Sequence, residues 1–271
     1  MPELPEVEIL KNELNAHVLG RQVHQVVVPA GREGDCPLQE WTSAIQGASI
    51  VDVARRGKML LLEFDSGFSL VIHLMMVGQL LLSSLYDREP NDVRLILDFG
   101  ADQLSVGQVA LRFLRLVPTS QLDELPEIKK LGCDPLSDDF SVEALRSVSS
   151  GRRGKVKSFL LNQRHIAGIG NTYADEILFH AGIDPARQVG SLTSEEVERL
   201  HRSIVEIMRR GLRLGGSSEM AFVHLDGTKG AFQEQFQVKQ RKGKPCHACN
   251  TPIEKIPIGG RGTYFCPRCQ R

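Results

Sequence analysis

The C-terminal end of the chain holds four of its six cysteines in two close pairs. Two residues separate Cys246 from Cys249, two separate Cys266 from Cys269, and sixteen lie between the pairs. This is the spacing with which two pairs of thiolates close on one tetrahedral zinc ion. A short C-terminal segment cannot bury an apolar core of its own and needs a bound metal or a similar cross-link to fold. Because four thiolates leave no open coordination position, the sequence predicts one structural Zn²⁺.

The first residues of the chain could supply a nucleophile. Pro2 is small enough for Met1 to be removed, which would expose a secondary amine. An α-amino group titrates near 8, so a useful fraction is neutral at physiological pH, whereas a lysine would need a large shift in pKa. Glu3 and Glu6 lie within one helical turn of that amine. Carboxylates and prolines such as Pro5 also suit the start of a helix, so this pattern leaves a catalytic and a structural explanation open.

A glycine-rich turn, Gly168-Ile169-Gly170-Asn171, precedes an apolar-periodic helix from Tyr173 to His180. Free N–H groups at a helix N-terminus can hold a phosphate, although close packing of the helix explains such a turn equally well. Basic residues cluster just upstream, where they form either a solvated face or an anion-binding surface. They are Arg152, Arg153, Lys155 and Lys157.

Charge is distributed unevenly along a chain whose formal net charge is zero, with 33 Lys and Arg against 33 Asp and Glu. Residues 134–271 contain 21 basic and 15 acidic residues, net +6, and residues 1–133 contain 12 and 18, net −6. The basic half points to an anionic partner at one end. The acidic N-terminus does not resemble a secretory signal, and no apolar run is long enough to span a membrane, so we expect a cytoplasmic protein with no membrane association.

The elements that carry these residues change along the chain from strands to helices. A short helix from Pro5 to about Ala16 is followed by strand-like runs to about Pro118, and a helical pattern begins near Pro135. Thr193 and Glu196 form a capping box at the start of a long amphipathic helix. The strand-like runs are Val23 to Val28, Met59 to Phe64, Ser69 to Leu74, Val93 to Leu97 and Val109 to Val117.

These patterns predict a multidomain α+β protein. Residues 1–133 would form an antiparallel β-sandwich flanked by the N-terminal helix, residues 134–236 a helical domain, and residues 237–271 a four-cysteine zinc finger with a β-hairpin between its cysteine pairs. The two cysteines outside the finger, Cys36 and Cys133, are predicted to be free thiols.

Several motifs, in order, resemble the bacterial formamidopyrimidine-DNA glycosylase family nearly end to end. The chain starts MPELPEVE, continues with Arg56-Gly57-Lys58 and His73-Leu74-x-Met76, and ends with GRGTYFCPxCQ. The sequence AGIGNTYADEIL covers the glycine turn and the helix after it. The resemblance implies a helix-two-turn-helix in the helical domain and a repair enzyme that removes 8-oxoguanine and formamidopyrimidines from DNA and then cuts the backbone.

The same resemblance implies roles for individual residues. The Pro2 amine would attack C1′ of the damaged nucleotide and form a Schiff base, and β- and δ-elimination would follow. Glu3 would transfer protons at the sugar, Glu6 would support the site, Lys58 would help to protonate the lesion, and Arg261 would assist strand cleavage.

Further residues are implied in DNA binding. Asn171 would hold a phosphate, and Met76 and Phe113 would fill the space left by the everted nucleotide, although residue type alone places both in a core. The segment from Gly215 to Gly230 resembles a loop that closes over the everted base, and otherwise is an ordinary long connection. The remaining implied DNA contacts are His73, Arg112, Arg153, Arg152 and Lys157.

The chain departs from the family where an intercalating arginine is usual, because Leu111 takes that position and Arg112 lies one residue later. We therefore expect weaker discrimination against adenine opposite the lesion. Two other functions stay open: an endonuclease VIII-like glycosylase for oxidised pyrimidines, which Leu4 disfavours, and a non-catalytic zinc-finger protein that binds DNA lesions. The expected partner is double-stranded DNA with oxidised bases or abasic sites, bound by a monomer that is associated with the nucleoid when it acts.

Overall fold

The computed structural model describes residues 1–29, 38–109 and 114–271. The chain divides into two compact units: Met1–Lys129 with Leu214–Ala231, and Lys130–Arg213 with Phe232–Arg271. The segment Leu214–Ala231 thus packs with the N-terminal residues, although it falls within the stretch predicted as the helical domain. The three predicted domain limits stay a prediction.

The first unit consists of two four-stranded antiparallel sheets with helices beside them. The first sheet has the order β1-β6-β7-β5 and the second the order β2-β3-β4-β8. Helix α1 packs against β2 of the second sheet. The elements are α1 (Leu4–His17), β1 (Gln25–Val27), α2 (Leu38–Ile45), β2 (Ile50–Arg56), β3 (Met59–Phe64), β4 (Phe68–Ile72), β5 (Gln79–Leu82), β6 (Val93–Asp98), β7 (Gln103–Gly107), β8 (Leu114–Pro118) and α3 (Pro126–Lys129).

One apolar core lies between these elements. Leu60, Leu62 and Phe64, which share one face of β3, lie in this core and are almost completely buried, and Met59 and Leu61 on the other face are buried too. Helix α1 adds Val7, Leu10 and Leu14 at helical spacing. The core holds both sheets and the start of the chain in a sandwich, so α1 presents its N-terminus on a rigid support.

The second unit is helical and ends in a hairpin. Helix α7 buries the predicted apolar face, and its helical hydrogen bonds begin with Val197 N–H donating to Thr193. Tyr173 of α6 stacks on Phe232, with ring centroids 4.8 Å apart. The elements are α4 (Val142–Ser149), α5 (Val156–Leu161), α6 (Asn171–Ala181), α7 (Ser194–Arg213), β9 (Glu254–Ile258) and β10 (Arg261–Phe265).

The predicted α+β class, the antiparallel sandwich, the helical part and the C-terminal hairpin are confirmed. The predicted run from Val109 to Val117 is described as a strand only from Leu114 onward, because residues 110–113 lie outside the described residues. No helix in the described ranges is long and apolar enough to cross a membrane.

Candidate active site and nucleic-acid interface

The two N-terminal glutamates form a capping box at the start of α1. The Glu3 backbone N–H donates to Glu6 Oε2 at 2.7 Å, and the Glu3 side chain accepts from the backbone of residue 6. Both side chains are buried, with Glu3 4% and Glu6 2% exposed. The other oxygen of Glu6 accepts from the Ser217 N–H at 2.8 Å. The structural role that these residue types suggested is therefore present, and it fixes both carboxylates close to the chain start.

The amine at the chain start lies among charged groups of the first unit. Burial lowers the pKa of the Met1 amine, Glu3 and Glu6 act to raise it, and the charge of Lys58 acts to lower it. The same amine donates to Met220 Sδ at 3.5 Å, and the carboxylate of Glu219 also acts to raise its pKa. Pro2 itself is buried. The arrangement combines a half-buried amine with groups that can accept and donate protons.

Lys58 lies in the turn between β2 and β3 and is only 8% exposed. Gly57 takes a positive φ of 58° there, a conformation that glycine adopts without strain. The buried Arg55 fixes this turn by donating to the Gly57 carbonyl at 3.2 Å and to Glu8 Oε2 of α1 at 2.7 Å. A single arginine thus joins the helix that begins near the amine to the turn that carries Lys58. The residue pattern of the sequence does not indicate this role of Arg55.

His73 lies at the end of β4. Burial and the positive charge of Lys58 lower its pKa, so its imidazole is neutral at neutral pH. Met76 follows in a tight turn and is 55% exposed, which argues against a place in the core and suits a side chain that enters DNA. Three residues discussed above, Leu111, Arg112 and Phe113, lie outside the described residues.

In the second unit, Gln163 shapes the predicted glycine turn. Its side chain accepts from the Gly168 N–H at 2.8 Å and donates to the Ile169 carbonyl at 2.8 Å. Gly168 has a φ of +89°, and Gly170 is the N-cap of α6. A helix N-terminus that follows a glycine turn is a position at which proteins bind anions. Asn171 is the first residue of the helix, and its side-chain amide donates to the Gly262 carbonyl at 3.2 Å.

Lys157 is placed differently from the prediction that it contacts DNA. It is 0% exposed, and its ammonium donates to Asp175 Oδ1 at 2.6 Å, Thr263 Oγ1 at 2.9 Å and the Gly262 carbonyl at 3.2 Å. Buried and bonded in this way, the ammonium joins α5 and α6 to the hairpin and does not lie at the surface. The predicted DNA contact of Lys157 stays a prediction, which this position disfavours.

Three other basic residues of the second unit that were predicted to act on DNA are accessible. Arg152 and Arg153 are exposed in the turn before α5, and Arg261 is exposed at the tip of the β9–β10 hairpin. Gly259 and Gly260 form that tip with positive φ angles of 56° and 74°. Each of the three arginines can meet an anion without giving up a buried partner.

The four C-terminal cysteines fit a zinc ion. Their ligand atoms all lie within 4.8 Å of one another, with Cys246 Sγ 3.9 Å from Cys269 Sγ and Cys249 Sγ 3.5 Å from Cys266 Sγ. A Zn–S bond of about 2.3 Å in a tetrahedron separates the sulfurs by about 3.8 Å. The prediction of one structural Zn²⁺ is confirmed. Of the two predicted free thiols, Cys133 is free and Cys36 lies outside the described residues.

Family models match three parts of the chain. They describe the formamidopyrimidine-DNA glycosylase N-terminal domain at residues 1–114, the formamidopyrimidine-DNA glycosylase H2TH domain at residues 131–222, and a zinc finger found in FPG and IleRS at residues 243–271. Together they follow the order that the motifs predicted.

Full-length relatives agree with these models. The formamidopyrimidine-DNA glycosylase of Pelotomaculum thermopropionicum is 37% identical over 100% of this chain and 99% of its own. A mutant of Lactococcus lactis FPG in complex with a Fapy-dG containing DNA is similar in structure, with a TM-score of 0.90, 33% identity and full coverage of both chains. Lactococcus lactis Fpg in complex with an abasic site containing DNA has a TM-score of 0.89, 33% identity and 99% coverage of each chain.

Proposed function

This chain belongs to the formamidopyrimidine-DNA glycosylase family, and on that premise we propose how its residues carry out base excision and backbone cleavage. The enzyme is a base-excision-repair DNA glycosylase with one structural zinc. Its substrate is double-stranded DNA that contains an oxidised purine or an abasic site. The observation that supports the residue assignment best is the position of the N-terminal amine among Glu3, Glu6 and Lys58.

Removal of Met1 leaves the secondary amine of Pro2 as the nucleophile. Its lone pair forms a bond to C1′ while the N-glycosidic bond breaks, and the base leaves with that electron pair and a proton. The sugar ring then opens as the C1′–O4′ pair moves to O4′, which gives an iminium. The iminium acidifies the C2′ proton, so elimination of the 3′ phosphate and then of the 5′ phosphate follows. Water finally releases Pro2.

Burial favours the nucleophilic form of this amine. A desolvated ammonium loses its proton more readily, and the charge of Lys58 acts in the same direction on the Met1 amine. Glu3 and Glu6 act to raise the pKa of this amine. Their carboxylates can also accept a proton from the amine when it is charged. The Pro2 amine would lie in the same surroundings once Met1 is removed.

Proton transfers are assigned to the two buried side chains near the amine. Glu3 can take a proton from the amine or C2′ and return one to O4′, and Lys58 can donate to the departing base. Arg55 holds the turn that carries Lys58, so it is a positioning residue.

Residues of the second unit would hold the DNA backbone. Asn171 at the N-terminus of α6 would bind a phosphate, and the exposed Arg152 and Arg153 add positive charge. Arg261 at the hairpin tip would neutralise a phosphate that leaves during elimination. Because the substrate is chromosomal DNA, we place the enzyme in the bacterial cytoplasm, at the nucleoid when it acts.

The experiment that tests the proposal is borohydride trapping on duplex DNA with 8-oxoguanine, followed by mass spectrometry of the peptide adduct. Reduction of the iminium joins the DNA to the amine that formed it, so we expect the adduct on Pro2. Pro2→Gly, which keeps a terminal amine of a different kind, should slow trapping.

A chain that retains Met1 is the matched control, because its amine is a primary amine displaced by one residue. We expect no trapping with it. An adduct at any lysine, or undiminished trapping with Met1 in place, would assign the nucleophile elsewhere.

A further inference from the structure

The segment Leu214–Ala231 of the first unit is a loop whose two ends meet. The Ala231 N–H donates to the Leu214 carbonyl at 2.8 Å. Gly230 lies so close to the backbone of Gly215 that a Cβ there would meet the Gly215 oxygen at 2.0 Å. Phe222 and Leu225 are buried in the core of the unit. Between these fixed points the loop passes the N-terminal amine at Met220, which is 52% exposed.

His224 connects this loop to itself and to α1 through both ring nitrogens. Its Nδ1 lies 2.5 Å from Glu13 Oε1, and its Nε2 lies 2.9 Å from the Gly215 carbonyl oxygen. The Gly215 carbonyl is an acceptor, and so is Glu13 while it is ionised. A neutral imidazole has one N–H and can serve only one acceptor, so with an ionised Glu13 both hydrogen bonds form only with the imidazolium, which donates twice. The second oxygen of Glu13 accepts from the Leu225 N–H at 3.1 Å.

The charged surroundings favour the imidazolium. Glu13 faces it from α1 and Asp226 from the turn that follows His224, while the Gly215 carbonyl faces it from the start of the loop. The Phe222 ring lies beside it with a centroid distance of 5.4 Å. The hydrogen bond that His224 donates to Glu13 raises the pKa of His224 above its ordinary value, against the opposing effect of burial.

We propose that His224 is a positioning residue that, as an imidazolium, clasps the loop of residues 215–224 onto α1 and so holds Ser217 and Met220 beside the N-terminal amine. The amine in contact with Met220 is that of Met1, and the inference rests on the proposed function only in taking the neighbouring Pro2 amine, exposed by removal of Met1, as the nucleophile. Glu6 and Glu13 of α1 then hold the loop at two points, Ser217 and His224. The stretch between these points, Ser218 to Val223, includes the part that lies beside the amine.

The clasp makes the loop sensitive to pH in one direction. A raised histidine pKa means that the folded state binds the proton more tightly than the unfolded state. The contribution of the clasp is therefore complete below the unfolded pKa of about 6.5 and is lost as the pH rises through the folded pKa. Excision must hold an everted base beside the amine, whereas cleavage at an abasic site has no base to hold. Alkaline pH should thus slow excision more than abasic-site cleavage.

The structural test follows the His224 imidazole by NMR and the protection of the Ser217 amide by hydrogen exchange in the full zinc-loaded chain. We expect His224 to titrate above 6.5, and we expect Glu13→Gln to lower that pKa and to reduce Ser217 protection at neutral pH. His17→Gln, on the same helix, is the control and should change neither. The clasp would be overturned if His224 titrated at or below its ordinary pKa, or if Glu13→Gln left the hydrogen-exchange protection of the Ser217 amide unchanged.

The functional test compares single-turnover excision of 8-oxoguanine with cleavage of abasic DNA. Hydrogen bonds to charged groups are strong enough that His224→Gln should slow excision about tenfold at neutral pH, with a smaller effect on abasic DNA. The variant should also lose the decline of excision at alkaline pH that the wild type shows. Equal slowing on both substrates, or an unchanged pH profile, would refute the positioning role. Absence of any Pro2 adduct in the wild type would instead refute the proposed function and leave the exchange data unaffected.

Discussion

Glu6 shows how one side chain can serve both local structure and the site. One carboxylate oxygen completes the capping box of α1, and the other holds Ser217 of the loop that passes the amine. Each hydrogen bond to this buried carboxylate offsets its desolvation. The structural and the catalytic explanation of the N-terminal glutamates are therefore compatible, because the cap places the carboxylates where the amine needs them.

His73 supports a prediction about charge. Its lowered pKa makes the side chain neutral at neutral pH, so it can bond to a phosphate without releasing a counterion. We expect His73→Ala to weaken DNA binding at neutral pH without changing the slope of log K against log salt. Arg153→Ala, which removes an exposed charge, should reduce that slope by about 0.9. Equal changes of slope in the two variants would show that His73 is charged in the complex.

Residue types alone did not predict which side chains are exposed. The family resemblance assigned Pro2, Glu3 and Lys58 to the site, and the charges of Glu3, Glu6 and Lys58 act on the amine at the chain start, which supports that assignment. Residue type alone favoured a core position for Met76, which is exposed, and an accessible position for Lys157, which is buried. Exposure depends on what packs over a residue from distant parts of the chain, and a local pattern does not contain that information.

At the scale of elements, α6 connects the glycine turn to the zinc finger. Glu176 accepts the N–H groups of Gln237, Val238 and Lys239 at 2.9 to 3.0 Å, which fixes the chain that leads into the finger. Asp175 meets Lys157, which also holds the hairpin strand β10. The helix that we propose to bind a phosphate and the hairpin that carries Arg261 are thus bonded to each other within the second unit.

We expect Lys157→Met to destabilise the second unit by about 3 to 5 kcal/mol, because it leaves the buried Asp175 carboxylate without its closest cation. Burial already raises the pKa of Asp175 to about 6 in the presence of Lys157. Denaturant unfolding of the zinc-loaded chain measures the change. Lys155→Met, which alters an exposed neighbour, should stay within about 0.5 kcal/mol of the wild type.

A second arm separates this role from direct DNA contact. Lys157→Met combined with Asp175→Leu removes both charges, and we expect it to regain part of the lost stability. If Lys157→Met proves as stable as the wild type but has a smaller salt dependence of DNA binding, then Lys157 touches a phosphate and its positioning role is wrong.

Strands and helices with a clear apolar pattern were predictable from the sequence. The segment from Gly215 to Gly230 was also predicted as a loop or long connection, but the elements against which it packs were not. A short apolar run predicts the strand β3, and an apolar stripe predicts the helix α7. The segment Leu214–Ala231 has no such pattern. Its conformation depends on individual hydrogen bonds to α1 and β5, such as the one that the Leu82 N–H donates to the Leu225 carbonyl. Its packing with the first unit is set by partners that lie far away in the sequence.

At the scale of the whole molecule, the acidic and basic halves of the sequence differ in their proposed roles, which are catalysis and DNA binding. The proposed nucleophile and its carboxylates belong to the first unit, and the exposed arginines with the zinc finger belong to the second. A net charge of zero is therefore compatible with DNA binding, because a phosphate backbone responds to the local charge of the surface it meets.

The zinc finger permits a prediction in which the two units respond differently. Cys249→Ser leaves three thiolates, and a structural site with an incomplete shell loses affinity for zinc and with it the folding energy of the finger. The hairpin that carries Arg261 then loses its support, so DNA affinity should fall.

Trp41, the only tryptophan of the chain, is 5% exposed in the core of the first unit and reports on that unit alone. We expect one zinc per chain in the wild type, loss of zinc and DNA affinity in Cys249→Ser, and Trp41 emission unchanged in both. Cys133→Ser, at a free thiol, is the control and should retain zinc and affinity. Full DNA affinity without zinc would show that the finger does not hold DNA, and a red shift of Trp41 emission would show that the first unit depends on the metal.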